Sequence, residues 1–231
     1  MATSGNLPAS ELASWHPGRY PWPVGSKSVG SKNRVNKPGT RDRIITSAMG
    51  LFAENGYDRT TIAEIEEAAG LSPGSGSLYR HFKSKDELLL AAVQRWRAEL
   101  AQLSERLDFS ETKNVRDSLQ RAAMLLVSFV TAQGDTMRVF AIQGLIFPPT
   151  AREEIAAAWR DGYALFAKAI RGIAPPEVLE EHNVDALAVQ MLGSVSHYFG
   201  QTLAFSESSL PLSLLDYMGE WISTWTDFFE R

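Results

Sequence analysis

The sequence predicts an all-α chain, with a tri-helical helix-turn-helix unit at the N-terminal side and a larger helical body behind it. Three observations carry this. Apolar residues recur at helical spacing from Thr40 almost to the C-terminus. Capping signatures precede the periodic segments at Thr61-x-x-Glu64, Ser84-x-x-Glu87, Thr150-x-x-Glu153 and Ser213-x-x-Asp216. No stretch alternates polar and apolar residues between turn signals, as strands would.

Residues 1–39 are rich in Ser, Gly, Pro and Asn without apolar periodicity, and are read as a flexible basic tail. The tail is either inert or an arm that reaches DNA. The stretch Gly25-Ser-Lys-Ser-Val-Gly30-Ser31-Lys32 lacks the ending of a phosphate loop and follows no strand, so it is set aside. A first helix follows Thr40, its candidate cap, with Ile44, Ile45, Ala48, Leu51 and Phe52 as the inward stripe and Gly56 as the stop. A second opens at Thr61 and buries Ile62, Ile65 and Ala69. Gly70 permits a tight turn above Leu71. The third helix starts either at Ser72-Pro73, a cap with proline in the first turn, or only at Ser77, because Gly74-Ser75-Gly76-Ser77 are poor helix formers. Leu78 and Phe82 pin it to the core.

A fourth helix, opening at Ser84, runs through Trp96 to Leu103 and is long enough to bridge into the body. Further helices are expected over about 112–133, 136–147, 150–173, 184–204 and 213–230, with Pro148-Pro149 and Pro175-Pro176 as stops. The domains are therefore 1–39 (tail), 40–93 (helix-turn-helix) and 94–231 (helical body).

Composition bounds the function. The 231 residues include no cysteine, which excludes disulfides and thiolate metal sites. No run of 18 apolar residues suggests a membrane span, and the N-terminus has no apolar signal core, so a cytoplasmic protein without a membrane partner is expected. The net charge of −4 is unevenly spread. Residues 1–39 carry five basic residues against one acidic, 40–93 six against eight, and 94–231 twelve against eighteen. Positive charge gathers beside the helix-turn-helix, and an acidic body would leave only that end free to dock on nucleic acid. The four histidines show no metal-ligand spacing, and no nucleophile elbow, zinc-protease motif or dinucleotide loop is present. Ser194, His197 and Asp185 lack a nucleophile turn. No enzyme and no cofactor are expected.

The segment as a whole is a device for placing a short helix in the major groove of double-stranded DNA. It resembles the TetR family of transcriptional regulators. The matching residues are Leu51 to Tyr57, Thr60-Thr61-Ile62, Ile65, Ala68-Ala69-Gly70-Leu71-Ser72, Leu78-Tyr79-Arg80-His81-Phe82 and Ser84-Lys85. The Gly70–Tyr79 interval is two residues longer than the commonest pattern. The resemblance implies a homodimer with two reading heads on a palindromic operator, usually repressing and released by a small-molecule effector in the second domain. DNA contacts are expected from the turn Ser72, Pro73 and Gly74. Ser75 and Ser77 face base edges, and Thr61, Tyr79, His81, Lys83 and Lys85 face phosphates. Each has a plainer reading, with Thr61 a helix cap, Tyr79 a core aromatic, His81 a surface residue and the lysines a solvated loop.

The body is rich in aromatics, more often core than pocket. The resemblance points to a ligand pocket, for which Phe129, Phe140, Trp159, Tyr163 and Phe166 are the candidates, implying an apolar or aromatic effector. His197 and Tyr198 are polar anchors or satisfied core residues. Helices 184–204 and 213–230, with Met218, Trp221, Ile222, Trp225 and Phe229, are read as a dimer interface, with intramolecular core as the rival. The alternative function is a constitutive or architectural DNA binder without an effector.

Overall fold

A computed structural model describes residues 39–231 apart from 108, 110, 111 and 206–209. The tail expected over 1–39 lies outside the described residues except for Gly39. Nine α-helices are described. They are α1 (Thr40–Asn55), α2 (Ile62–Ala68), α3 (Lys85–Arg106), α4 (Val115–Ala132), α5 (Gly134–Gln143), α6 (Pro149–Ile173), α7 (Pro176–Glu181), α8 (Val184–Ala204) and α9 (Leu214–Phe229). Two 3₁₀ segments, Ser77–Arg80 and Gly144–Ile146, complete them, and no strand occurs among the described residues.

The capping chemistry follows the sequence closely at some ends. Asn114 accepts the Asp117 N–H, Asn183 that of Ala186 and Ser213 that of Asp216. At other ends it departs. Thr40 is already helical, and Gly39 is the cap without a side-chain bond. Ser84 accepts the Glu87 N–H, but the Glu87 carboxylate turns to the Lys83 N–H, so only half of that box forms. Thr150 does not cap α6, because Pro149 has its φ fixed for the first helical position and starts the helix sooner. Helix α7 was not anticipated from the sequence.

Two apolar clusters form. The first holds Ile44, Phe52, Ile65, Leu78 and Phe82 together with Trp96, Val139, Phe140, Phe147 and Ile155. It therefore runs straight across residue 93, where the sequence suggests a boundary. At about 1.5 Å per residue, α3 is roughly 33 Å long and carries one apolar stripe past both sets of neighbours. The second cluster joins α4, α6, α8 and α9 around Leu119, Ile170, Met191, Val195 and Trp221. Helix α3 packs on α6, α6 on α8, and α9 on α4, while α1 rests on α2, α3 and α5.

That packing corrects the expectation for α9. Met218, Trp221 and Phe229 are buried inside the single chain, and the Trp221 indole N–H donates to the Met191 carbonyl at 3.2 Å. A wide apolar face on a C-terminal helix is consumed here by the chain's own α4 and α8. Ile222 and Trp225 remain half-exposed, beside exposed Leu215.

Candidate nucleic-acid interface

The helix-turn-helix is built from the inside. Ile44, Ile45, Phe52, Ile65, Leu78 and Leu89 have no exposure and fix α1, α2 and the start of α3 around one point. At the entry to α2, Thr61 Oγ1 accepts the Glu64 N–H at 3.3 Å, while the Glu64 carboxylate takes the Thr61 N–H at 2.7 Å and its hydroxyl at 2.8 Å. Those contacts hold the Glu64 carboxyl below the ordinary glutamate range. The Thr61 hydroxyl is thus used within the helix start, although the residue itself is exposed.

Gly70, at φ 70°, turns the chain out of α2, and the Leu71 N–H reaches back to the Glu66 carbonyl at 2.8 Å. The following residues do not form a long helix from Ser72-Pro73. Gly74 and Gly76 sit at φ 70° and 72°, a left-handed backbone that no helix accommodates. Helical structure resumes only at Ser77, as four residues of 3₁₀ helix. This is the later of the two starts the sequence leaves open. Ser75 and Ser77 pair through their hydroxyls at 2.7 Å, on the surface of this turn.

The expected DNA residues separate into two groups. Ser72, Pro73, Gly74, Ser75, Tyr79, His81 and Lys83 are exposed, and Ser77 is half-buried. Tyr79 retains 56% of its surface, which rules out the core-aromatic reading. Arg80, also exposed, lies between them and is the one cation within the 3₁₀ segment. Its position beside Tyr79 in the motif is the signal that would have singled it out.

Lys85 behaves differently. Its ammonium donates to the carbonyls of Tyr57 at 2.7 Å, Asp58 at 3.3 Å and Thr60 at 3.1 Å, and lies 4.6 Å from the Tyr57 ring centroid. Three donors on one nitrogen are then spent inside the protein. The expectation of a phosphate contact from Lys85 is corrected to a pin between the α1–α2 loop and the start of α3. Tyr57, beneath it, donates its hydroxyl to Asp86, and burial with that carboxylate raises its phenol well above the usual range.

In the body, a narrow cavity of about 40 Å³ runs between α3, α4, α6 and α8. Of the expected pocket residues, Phe129, Trp159 and Phe166 line it. Phe140 does not. It packs edge-on against Trp96 at 5.3 Å in the first cluster, because α5 lies against α1. Tyr163 also stays off the lining, 6.4 Å from the Trp159 ring. The sequence did not single out Leu100, Gly162 and Leu192 beside the cavity, since small or aliphatic residues in helices carry no pocket signal. Ser194 donates to the Met191 carbonyl and Asp185 pairs with Arg171, so each has a structural partner.

Comparison with known proteins agrees with this geometry. Residues 44–92 match the family described as bacterial regulatory proteins, tetR family. An uncharacterised HTH-type transcriptional regulator of Bacillus subtilis, YerO, is 46% identical over 54 residues, which make up 23% of this chain and 18% of that protein. The HTH-type transcriptional repressor KstR2 of Rhodococcus jostii is 45% identical over 53 residues, covering 23% of this chain and 25% of that one. The matched part is thus about a quarter or less of these relatives' length. Over the whole fold, the transcriptional regulator FadR of Bacillus subtilis, solved in complex with stearoyl-CoA, superposes with a TM-score of 0.61 at 17% identity, covering 80% of this chain and 97% of that one. Residues 44–92 thus carry a helix-turn-helix domain of the kind found in the tetR family of bacterial regulatory proteins.

Proposed function

We propose that the protein is a sequence-specific DNA-binding transcriptional regulator, a repressor that binds a palindromic operator as a homodimer and leaves it when an apolar ligand enters the body. The observation that carries this reading is the exposed turn and 3₁₀ segment, Ser72 to His81, pinned by buried Leu78 to a core shared by α1, α2 and α3. Ser75 and Ser77 meet base edges. Tyr79, Arg80, His81 and Lys83 meet the backbone, where contacts position rather than specify. Thr61 contributes through its cap, and two heads related by a two-fold axis demand half-sites about 34 Å apart or a multiple. The half-exposed side of α9, with Leu215, Ile222 and Trp225, is the surface on which the copies meet.

The ligand reading rests on the cavity lining, which is hydrocarbon and aromatic with Ser196 as the polar exception. Ligand pockets for small molecules usually measure some 300–1,000 Å³, so a free volume of about 40 Å³ requires the surrounding helices to part on binding. A slender apolar chain asks least of that motion, and the fold-neighbour FadR was solved with stearoyl-CoA.

The test is a gel shift on DNA flanking the protein's own gene, with scrambled duplex as competitor and stearoyl-CoA or a flat aromatic compound as probe. Retention of one duplex against scrambled competitor, and its release by a compound that also raises the melting temperature, are the expected results. Equal binding to all duplexes defeats the regulator reading. Selective binding that no apolar compound alters favours a constitutive DNA binder.

A further inference from the structure

One charged side chain among the described residues is wholly buried, and it lies beneath the reading segment. Glu66, on α2, has no exposed surface. One carboxylate oxygen accepts the Leu78 N–H at 2.9 Å, joining residues twelve apart across the turn. The other, Oε2, is buried with no hydrogen-bond partner. A buried carboxylate with one empty oxygen is costly, and the Leu78 N–H offsets that cost at the other oxygen only. The cap on Leu78 accounts for one oxygen, but stability of the head alone does not account for the second.

The geometry above it does. Leu78 is fully buried while its neighbours Ser77 and Tyr79 reach the surface, so the height of the Leu78 amide sets the height of the whole 3₁₀ segment. The preceding turn has two left-handed glycines, and its own bonds, Ser75 N–H to the Ser72 carbonyl at 3.2 Å and the Ser75–Ser77 hydroxyl pair, lie within the turn and do not tie it to the core. The Ser77 N–H has only a long bond, 3.3 Å, to the Ser75 hydroxyl. Adjacent amides at the start of a helical turn lack partners within it, and one carboxylate can take two of them.

We propose that Glu66 is a specificity-determining positioning residue. Its carboxylate holds the reading segment in register through Leu78. On a matched duplex its second oxygen takes the Ser77 N–H as well, and the Ser75 and Ser77 hydroxyls, paired at 2.7 Å in the free chain, exchange each other for base edges. This inference rests on the DNA-binding reading above.

Its test uses the full chain, a duplex selected by that chain from a random library, and a scrambled duplex of equal length. Glu66→Leu removes both oxygens and the buried charge. The expected result is a lower melting temperature, since the buried Leu78 N–H loses its acceptor, with affinity for the selected duplex lower by about ten-fold, the size of one lost specific contact. Affinity for the scrambled duplex, and its salt slope, stay unchanged. Glu66→Gln keeps an acceptor for Leu78 and restores most of the discrimination. A selected-to-scrambled ratio in Glu66→Leu equal to that of the starting chain overturns the proposal, as does a parallel fall of both affinities with the melting temperature. Hydrogen exchange on the unaltered chain needs no variant. The Ser77 amide gains protection on the selected duplex beyond that on the scrambled one, and equal protection overturns the second-oxygen contact. A library that yields no preferred sequence defeats the DNA-binding reading itself and this inference with it, a result distinct from selective binding that ignores Glu66.

Discussion

Two ionisable side chains show how a residue's surroundings decide its work. Lys85 lies in a motif that suggests phosphate binding, yet its ammonium closes three carbonyls of the α1–α2 loop. Replacing it by methionine keeps the stem and strips those carbonyls of a charged donor. Such hydrogen bonds contribute roughly 1.5–3 kcal/mol, less where water can substitute, so Lys85→Met is expected to lose about 1–2 kcal/mol in denaturant unfolding. The salt slope of DNA binding stays as it was, because no phosphate contact is removed. Glu99 poses the opposite case. Its carboxyl is pushed above the ordinary 4.5, first by burial, with Arg95 at 3.8 Å and the Gln133 amide only partly offsetting this. Between 4.5 and the raised value the folded chain holds more protons than the unfolded one, so this group's contribution to stability falls as pH rises through that window. Glu99→Gln should therefore raise the melting temperature at pH 7, and the gain should vanish below about pH 4. A gain that persists in acid would assign the effect to something other than the charge.

At the scale of elements, much was legible because the signals are local. Apolar periodicity, the caps at Thr61 and Ser213, and the Gly56 and Gly70 stops each depend on residues within one turn, and the helices formed where those residues stand. What escaped depends on partners far along the chain. The start of the third helix, by contrast, was a local choice that the sequence left open, and it falls at Ser77 because two left-handed glycines outweigh the Ser72-Pro73 signal. Lys85, Phe140 and Trp221 have surroundings the sequence does not reveal for one reason, that a side chain's type does not tell which helix will cover it. Helix α9 makes this concrete. Trp221 is 5% exposed and its indole N–H is satisfied within the chain. Trp221→Ala is expected to cost about 3–5 kcal/mol of folding stability, the range for a buried tryptophan. The neighbouring Trp225→Ala should cost far less and instead weaken self-association in sedimentation. A Trp221→Ala chain that folds with unchanged stability would return that residue to the interface.

At the scale of the whole molecule, the question is how a ligand in the body would be felt at the DNA. The sequence suggests α3 as the lever, since it runs from head to body. The structure adds a second and tighter link. At the end of α5, the Gln143 amide donates to the Phe52 carbonyl at 2.6 Å and accepts the Tyr57 N–H at 2.7 Å, closing the last turn of α1. Phe147, just beyond, meets the Tyr57 ring edge-on at 5.3 Å. The same helix presents Met137 to the apolar cavity. A ligand that parts the cavity walls at Met137 would displace α5, and Gln143 would carry that displacement to the head while the buried core transmits rather than absorbs it. Effector coupling of this kind is typically about 1–3 kcal/mol, a five- to 150-fold change in DNA affinity. Gln143→Leu retains the volume and deletes both bonds. It is expected to lower folding stability by about 1–3 kcal/mol, two hydrogen bonds' worth. DNA affinity without ligand should stay within a few-fold of the starting chain, while the ligand's power to reduce that affinity drops. Binding measured with and without the effector, for both chains, separates the two levers. If the ligand weakens DNA binding by the same factor in Gln143→Leu, the coupling runs through α3 and its Arg97 ties to Glu154 and Asp161 on α6, and α5 is only a strut.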